Sequence, residues 1–205
     1  VQTCALPIFN SGGGNVSLSA NQFTGGNIVT GGATGGGSVN IFATNALSTG
    51  VINTAPTGTG TGGAITLTSN GGGLTVNGNL TTGTGGGAIA LNSTGAAITT
   101  TGGVTITSDA SVSASATNGD IGSGVAPLLV TSPQTTLTAT GVAGGGNVFA
   151  TLTNTKNLTL SGDTGFNVSS NTAFDTLSVA TRGTGAGAMT LTPPGQTYTF
   201  APPAT

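Results

Sequence analysis

GGGSVNIFA, residues Gly35 to Ala43, decides the fold. A glycine run comes first, and then apolar Val39 and Ile41 flank a polar Asn40. Alternation with a period of two reads as a β-strand with one buried face, and the glycines before it read as a turn. The phrase recurs as GGGNVSLSA from Gly12, TGGAITLTS from Thr61 and GGGAIALNS from Gly85, with later echoes in GGGNVFATL from Gly144 and GAGAMTLTP from Gly185. The first apolar residue of each is Val16, Val39, Ile65, Ile89, Val148 and Met189, and the first four are 23, 26 and 24 residues apart. The next gaps, 59 and 41, are not multiples of that period, so the repeat is degenerate. Other strand-like pieces fill them: GGVTITS at Gly102, TTLTAT at Thr135 and NLTLSG at Asn157.

Each unit carries a second apolar piece: Ile28-Val29, Val51-Ile52, Leu74-Thr75-Val76 and Ile98. No stretch shows a helical period with caps. Two or three short strands per repeat of about 24 residues describe one coil of a parallel β-solenoid. The expected class is all-β, a parallel β-helix of about eight degenerate coils. The competing architecture, a two-sheet antiparallel sandwich with Gly-rich hairpins, has no need of a repeated GGGxVxL phrase. Val16, Leu18, Val39, Ile41, Ile65, Leu67, Ile89 and Leu91 are therefore expected to be buried and stacked coil on coil.

The composition agrees with this geometry. The chain has 205 residues, 39 of them Gly, and only 3% are charged, against roughly 25% in an ordinary domain. Disorder pairs low hydrophobicity with high net charge, whereas this chain is 35% hydrophobic, has a mean hydropathy of +0.27 and a net charge of -2. In a parallel stack each residue lies over its counterpart about 4.8 Å away, so a repeated charge would face itself. Two basic residues cannot form a phosphate-binding surface, which excludes nucleic acid as a partner. No apolar run reaches the ~18 residues of a membrane-spanning helix, so the chain is not expected to span a membrane.

Catalysis finds little material. The acids are Asp109, Asp120, Asp163 and Asp175; the bases are Lys156 and Arg182; there is no His. A general acid–base pair must converge on one substrate. Asp109 and Asp120 are 11 residues apart and Asp163 and Asp175 are 12 apart, half a coil in each case. Asp120 and Asp163 share a side at a separation of nearly two coils. Lys156 and Arg182 sit alone in NTKN and TRGT. All six charges read as solvated turn residues. No catalytic, cofactor-binding or metal-binding residue is expected, and no cofactor. The glycine runs lack the aspartates of calcium-binding β-rolls, and the N-x-S/T triplets at Asn15, Asn79, Asn92, Asn157 and Asn167 follow from an Asn/Thr-rich composition.

The GGGNVSLSA-type phrases, together with GDIGSGVAPLLVTSPQTTLTATGVAGGGNVFATLTNTKNLTLSG from Gly119 to Gly162, resemble the shaft repeats of filamentous-haemagglutinin-type bacterial exoproteins. The resemblance covers residues 10–192 and rests on the order I-G-S, P-L-x-V, L-x-A and G-N-V-F. It implies a right hand for the parallel β-helix and a structural shaft segment of a large secreted or cell-surface bacterial adhesin, non-catalytic. It also implies partners such as glycans or proteins on host or neighbouring cells, and an outer-membrane secretion partner for the parent protein. No Arg-Gly-Asp triplet, signal peptide or secretion domain is recognisable, so the chain reads as an internal fragment. Residues 193–205 then form a Pro-rich tail or a truncated next repeat.

Residues 1–9 differ in character and hold the lone cysteine, Cys4. VQTCALPI resembles the translation of a common sequencing adapter, GTT CAG ACG TGT GCT CTT CCG ATC, so the segment is expected to be non-native. Two other functions compete with the shaft. Thr-rich solenoids bind ice through regular T-x-T arrays, and T-L-T or T-I-T occurs at Thr66, Thr105, Thr136, Thr151 and Thr190. The outward column between the aligned apolar pairs, however, reads Ser17, Asn40, Thr66 and Ala90, which is no Thr array. A polysaccharide-active β-helix enzyme is the remaining alternative, and it lacks the clustered charges such enzymes use.

Overall fold

A computed structural model describes residues 9–141, 146–181, 189–195 and 197–200. Every described element is a strand, and the chain winds through them as a solenoid. The first coil contains β1 (Phe9–Asn10), β2 (Val16–Ala20) and β3 (Phe23–Thr24). The second has β4 (Ile28–Val29), β5 (Val39–Ala43) and β6 (Leu47–Thr49); the third has β7 (Ile52–Asn53), β8 (Ile65–Ser69) and β9 (Leu74–Val76). β10 (Leu80–Thr81), β11 (Ile89–Ser93) and β12 (Ile98–Thr100) make the fourth. Later coils hold two strands each: β13 (Thr105–Thr107) and β14 (Val112–Thr117), β15 (Leu128–Thr131) and β16 (Gln134–Thr140), β17 (Asn147–Thr153) and β18 (Asn157–Gly162), β19 (Gly165–Ser170) and β20 (Thr176–Thr181). β21 (Met189–Thr192) and β22 (Tyr198–Phe200) follow.

The strands stack into three walls. An eight-stranded sheet runs β2-β5-β8-β11-β14-β16-β18-β20, a ten-stranded sheet runs from β1 to β22, and a four-stranded sheet runs β3-β6-β9-β12. Every pairing between these strands is parallel except β21 with β22, where the chain turns back so that Leu191 faces Tyr198. Along the eight-stranded wall one register column reads Val16, Val39, Ile65, Ile89, Val112, Thr135, Leu158 and Leu177. The spacing expected for the first four holds. Val39, Ile41, Ile65, Leu67, Ile89 and Leu91 are buried, while Val16 and Leu18, in the first coil, are half-buried. Each buried aliphatic of this size contributes roughly 1.5–3 kcal/mol, and the stack makes the contribution continuous.

The register corrects the alignment of the later phrases. Val148 and Met189 do not continue the Val16 column. They lie in another, where Ile98 pairs with Ile121, Ile121 with Val148, Val148 with Phe166 and Phe166 with Met189. The second apolar pieces also divide: Ile28 and Ile52 belong to the ten-stranded wall, whereas Leu74 and Ile98 belong to the four-stranded one.

The glycines of the early phrases have a positional reason. Gly14, Gly37, Gly63 and Gly87 each stand two residues before the first strand residue of the column. A Cβ on Gly37 would overlap the Gly14 backbone, one on Gly63 the Gly37 backbone, and one on Gly87 the Ala64 amide. Coil backbones approach here more closely than any side chain permits. Further along, the same position holds Ala110, Pro133, Lys156 and Asp175. Side chains are accommodated at the corner there, and the GGG phrase leaves this column.

The cross-section changes along the stack. In the first four coils the four-stranded wall is separate. In β17 one continuous strand carries Val148 over Ile121 and Ala150 to Thr153 over β15. Two walls thereby fuse, and the last interval in the eight-stranded wall, Leu158 to Leu177, shortens to 19 residues. Among the described residues no helix is long and apolar enough to cross a membrane. Residues 1–8 with Cys4, Arg182 and residues 201–205 lie outside the described residues.

Close backbone approach predicts sharply position-dependent glycine substitutions. A Cβ at Gly62 would overlap the Thr82 carbonyl oxygen, whereas one at Gly102 meets nothing within 4 Å. Gly62→Ala should cost about 1–3 kcal/mol or more by urea unfolding, and Gly102→Ala should stay within about 0.5 kcal/mol. Equal effects at the two positions would contradict the packing described.

Candidate functional site

Among the described residues the charged groups fall on two corners of the solenoid. Asp120 precedes Ile121 and Asp163 precedes β19, and the register of Ile121 with Val148 and of Val148 with Phe166 places them two coils apart on one corner. Asp109 and Asp175 stand at the corner that leads into the eight-stranded wall. The expected separation of the four carboxylates therefore stands.

The environments of Asp120 and Asp163 correct their reading as solvated turn residues, whereas Asp109, Lys156 and Asp175 are exposed. Asp120 Oδ1 accepts hydrogen bonds from the Gly146 amide at 2.9 Å, the Asn147 amide at 2.8 Å and Asn147 Nδ2 at 3.2 Å. Asp163 Oδ2 accepts from the Gly141 amide at 3.1 Å, while its Oδ1 is buried without a hydrogen-bond partner. Gly146 has φ of 96°, and a Cβ there would come within 3.0 Å of Asp163 Cβ. The two carboxylates thus hold neighbouring backbone, Asp120 the Gly146 and Asn147 amides from the coil below and Asp163 the Gly141 amide from the coil above. Asp109 does a lighter version of this, accepting from the Gly85 amide at 3.2 Å. Charge-assisted bonds to backbone amides stabilise a corner that lacks a regular ladder.

Lys156 does not sit alone. It occupies the same column as Asp175 in the next coil, and the Asp175 amide donates to the Lys156 carbonyl at 2.7 Å. Stacking brings Nζ to 3.9 Å from Asp175 Oδ2, with side chains 52% and 69% exposed. An exposed pair of this kind contributes under about 1 kcal/mol. Among the described residues no three His, Cys, Asp or Glu side chains group as metal ligands would. A cleft of about 420 Å³ between the 55–60 loop and Gly83–Thr84 is lined by backbone, Pro and Thr, with no ionisable group.

Polar side chains instead form ladders from coil to coil. Asn45 Nδ2 donates to Asn21 Oδ1 at 2.8 Å, Thr101 Oγ1 to Asn77 Oδ1 at 2.8 Å, and Thr75 and Thr99 hydroxyls meet at 3.2 Å. Inside the core Thr135 and Thr155 hydroxyls meet at 3.1 Å, and Ser69 and Ser93 both donate to the Gly72 carbonyl. These bonds let polar residues stack with most buried groups paired; Thr49 Oγ1, Thr82 Oγ1 and Asp163 Oδ1 are the exceptions among the described residues.

Two outward columns differ from the ladders. On the ten-stranded wall Thr81, Thr107, Thr131 and Thr153 align one per coil. On the eight-stranded wall Ser113, Thr136, Thr159 and Ser178 align beside Ser115, Thr138 and Ser161. None of the four Thr hydroxyls of the first column has a protein hydrogen-bond partner among the described residues. The outward column read from sequence, Ser17, Asn40, Thr66 and Ala90, is real. It is the irregular end of a surface whose later coils are uniformly hydroxylated. The T-x-T triplets at Thr105 and Thr151 were the available signal, but their stacking through Thr131 depends on loop lengths that no motif records.

The corner clamp gives a direct test. Asp120→Ala removes an acceptor from two backbone amides and should cost about 2–3 kcal/mol in urea unfolding. Asp120→Asn keeps an acceptor oxygen at the same place and should lose less than half of that. Equal losses would mean that the charge, and not the acceptor, holds the corner. Comparison with family models, curated proteins and solved structures found no match for this chain.

Proposed function

We propose that the chain is a length-giving segment of the shaft of a bacterial adhesin of the filamentous-haemagglutinin type, secreted or held at the outer cell surface, and that it is not an enzyme. One observation carries the reading: each coil's strands pair only with those of the coils next to it, in register, along the whole described stack. Such a solenoid gains reach by adding coils and requires no conserved site. The few carboxylates support the same view, since Asp120, Asp163 and Asp109 are occupied with backbone amides. In this reading an outer-membrane partner exports the parent protein. Host or neighbouring-cell glycans or proteins are met by a distal region or, weakly, by the Thr and Asn faces.

The parent gene tests it. The shaft predicts many further coils of this repeat and a neighbouring outer-membrane transporter gene. A complete gene of only about ten coils would overturn it.

A second reading is favoured by the Thr81–Thr107–Thr131–Thr153 column. Free hydroxyls spaced by about 4.8 Å along the stack form a single charge-free row of the kind that can order water on ice, although the neighbouring row along the strands, Thr105, Leu129 and Thr151, is interrupted by Leu129. An ice-recrystallisation assay separates the two. The shaft reading expects no inhibition. Inhibition that is lost in Thr131→Lys, with the fold retained, would establish ice binding instead.

A further inference from the structure

We propose that Asn70–Gly71 is a site of spontaneous deamidation selected by the coil stack. The sequence holds three Asn-Gly pairs: Asn70–Gly71, Asn77–Gly78 and Asn118–Gly119. The reaction is intramolecular. The Gly amide nitrogen, after losing its proton to base, attacks Asn Cγ, and the side-chain nitrogen leaves as ammonia. The resulting succinimide adds water at either carbonyl and opens to aspartate or isoaspartate. Three conditions follow: a free nucleophile, a free leaving group, and access for base and water.

The stack distributes these conditions unequally. At Asn118 the nucleophile is engaged, because the Gly119 amide donates to the Thr140 carbonyl at 3.2 Å. Gly119 is buried, and Asn118 Nδ2 donates to the Thr94 carbonyl at 3.4 Å. At Asn77 the side chain is pinned at both ends: Nδ2 donates to Ser48 Oγ at 2.7 Å and Oδ1 accepts from Thr101 Oγ1 at 2.8 Å. Gly78 is buried, and a Cβ there would lie 2.5 Å from the Val51 amide nitrogen. At Asn70 neither the leaving group nor the following amide is engaged, although a Cβ on Gly71 would come within 2.8 Å of the Thr44 carbonyl oxygen. Asn70 and Gly71 are both exposed. Neither the Gly71 amide nor Asn70 Nδ2 has a hydrogen-bond partner among the described residues. Of the atoms that react, only Asn70 Oδ1 is contacted, by Thr94 Oγ1 at 3.2 Å, a hydroxyl that also donates to the Asn70 backbone carbonyl. Those contacts leave the leaving nitrogen free.

The two products differ in what they do to the solenoid. Aspartate keeps an acceptor for Thr94 and adds one charge to a nearly uncharged stack. Isoaspartate inserts an extra backbone carbon beside Gly71, which lies between Asn45 of the coil below and Gly95 of the coil above.

The test is peptide mapping by mass spectrometry of the full chain held in mildly alkaline buffer, folded and in concentrated urea. In the folded chain Asn70 should convert about tenfold or more faster than Asn77 and Asn118, because those sites react only after local opening. In urea the three rates should converge to within about threefold, since the neighbouring coils no longer discriminate. Asn70→Gln should abolish the fast phase and leave the slow ones unchanged. Conversion at Asn77 or Asn118 that equals or exceeds Asn70 in the folded chain overturns the proposal, as does a ranking that persists unchanged in urea.

Discussion

Everything in this molecule depends on parallel stacking in register. Coils about 4.8 Å apart place each residue over its counterpart, so the side chain that suits one coil must tolerate a near copy of itself above and below. Aliphatic residues satisfy this by packing, as in the column from Val39 through Ile65 and Ile89 to Val112. Glycine satisfies it where backbones touch, as at Gly37 and Gly63. Asn and Thr satisfy it by donating to and accepting from their own kind, as Asn45 does with Asn21. A repeated charge cannot satisfy it, and the composition reflects that.

The exceptions show the same rule from the other side. Lys156 and Asp175 occupy one column in consecutive coils, so stacking there pairs opposite charges. Asp120 and Asp163 share a corner but are separated by the crossing at Gly146, whose amide is held by Asp120. Where the regular ladder fails, a carboxylate supplies the missing acceptor. The fused wall at β17 is a related adjustment: the third corner disappears, the coil shortens, and the core continues through Val148 and Leu152 without a break.

For function, the architecture separates two roles that a globular domain combines. The interior is concerned with stacking alone, and the outward columns are free to vary in chemistry. In this chain they converge on hydroxyls: Thr81, Thr107, Thr131 and Thr153 on one wall, Ser113, Thr136, Thr159 and Ser178 on another. A surface of this type suits weak, repeated contact better than a single deep site, which fits the proposed role of a spacer that keeps a distal region away from a cell.

The sequence by itself determined the all-β class, the parallel coil of about two dozen residues and the burial of Val39, Ile41, Ile65, Leu67, Ile89 and Leu91. Period-two alternation and a recurring glycine phrase are local properties, and each coil repeats the same local solution. Tertiary structure alone decided which column each residue joins. Val148 carries the same phrase as Val39 but stacks on Ile121, and the exposed Lys156 reaches Asp175 of the next coil. The hydroxyl columns and the carboxylate clamps were hidden for the same reason. Register between coils is the sum of all intervening turn lengths, and those vary here while the strands between them stay nearly constant.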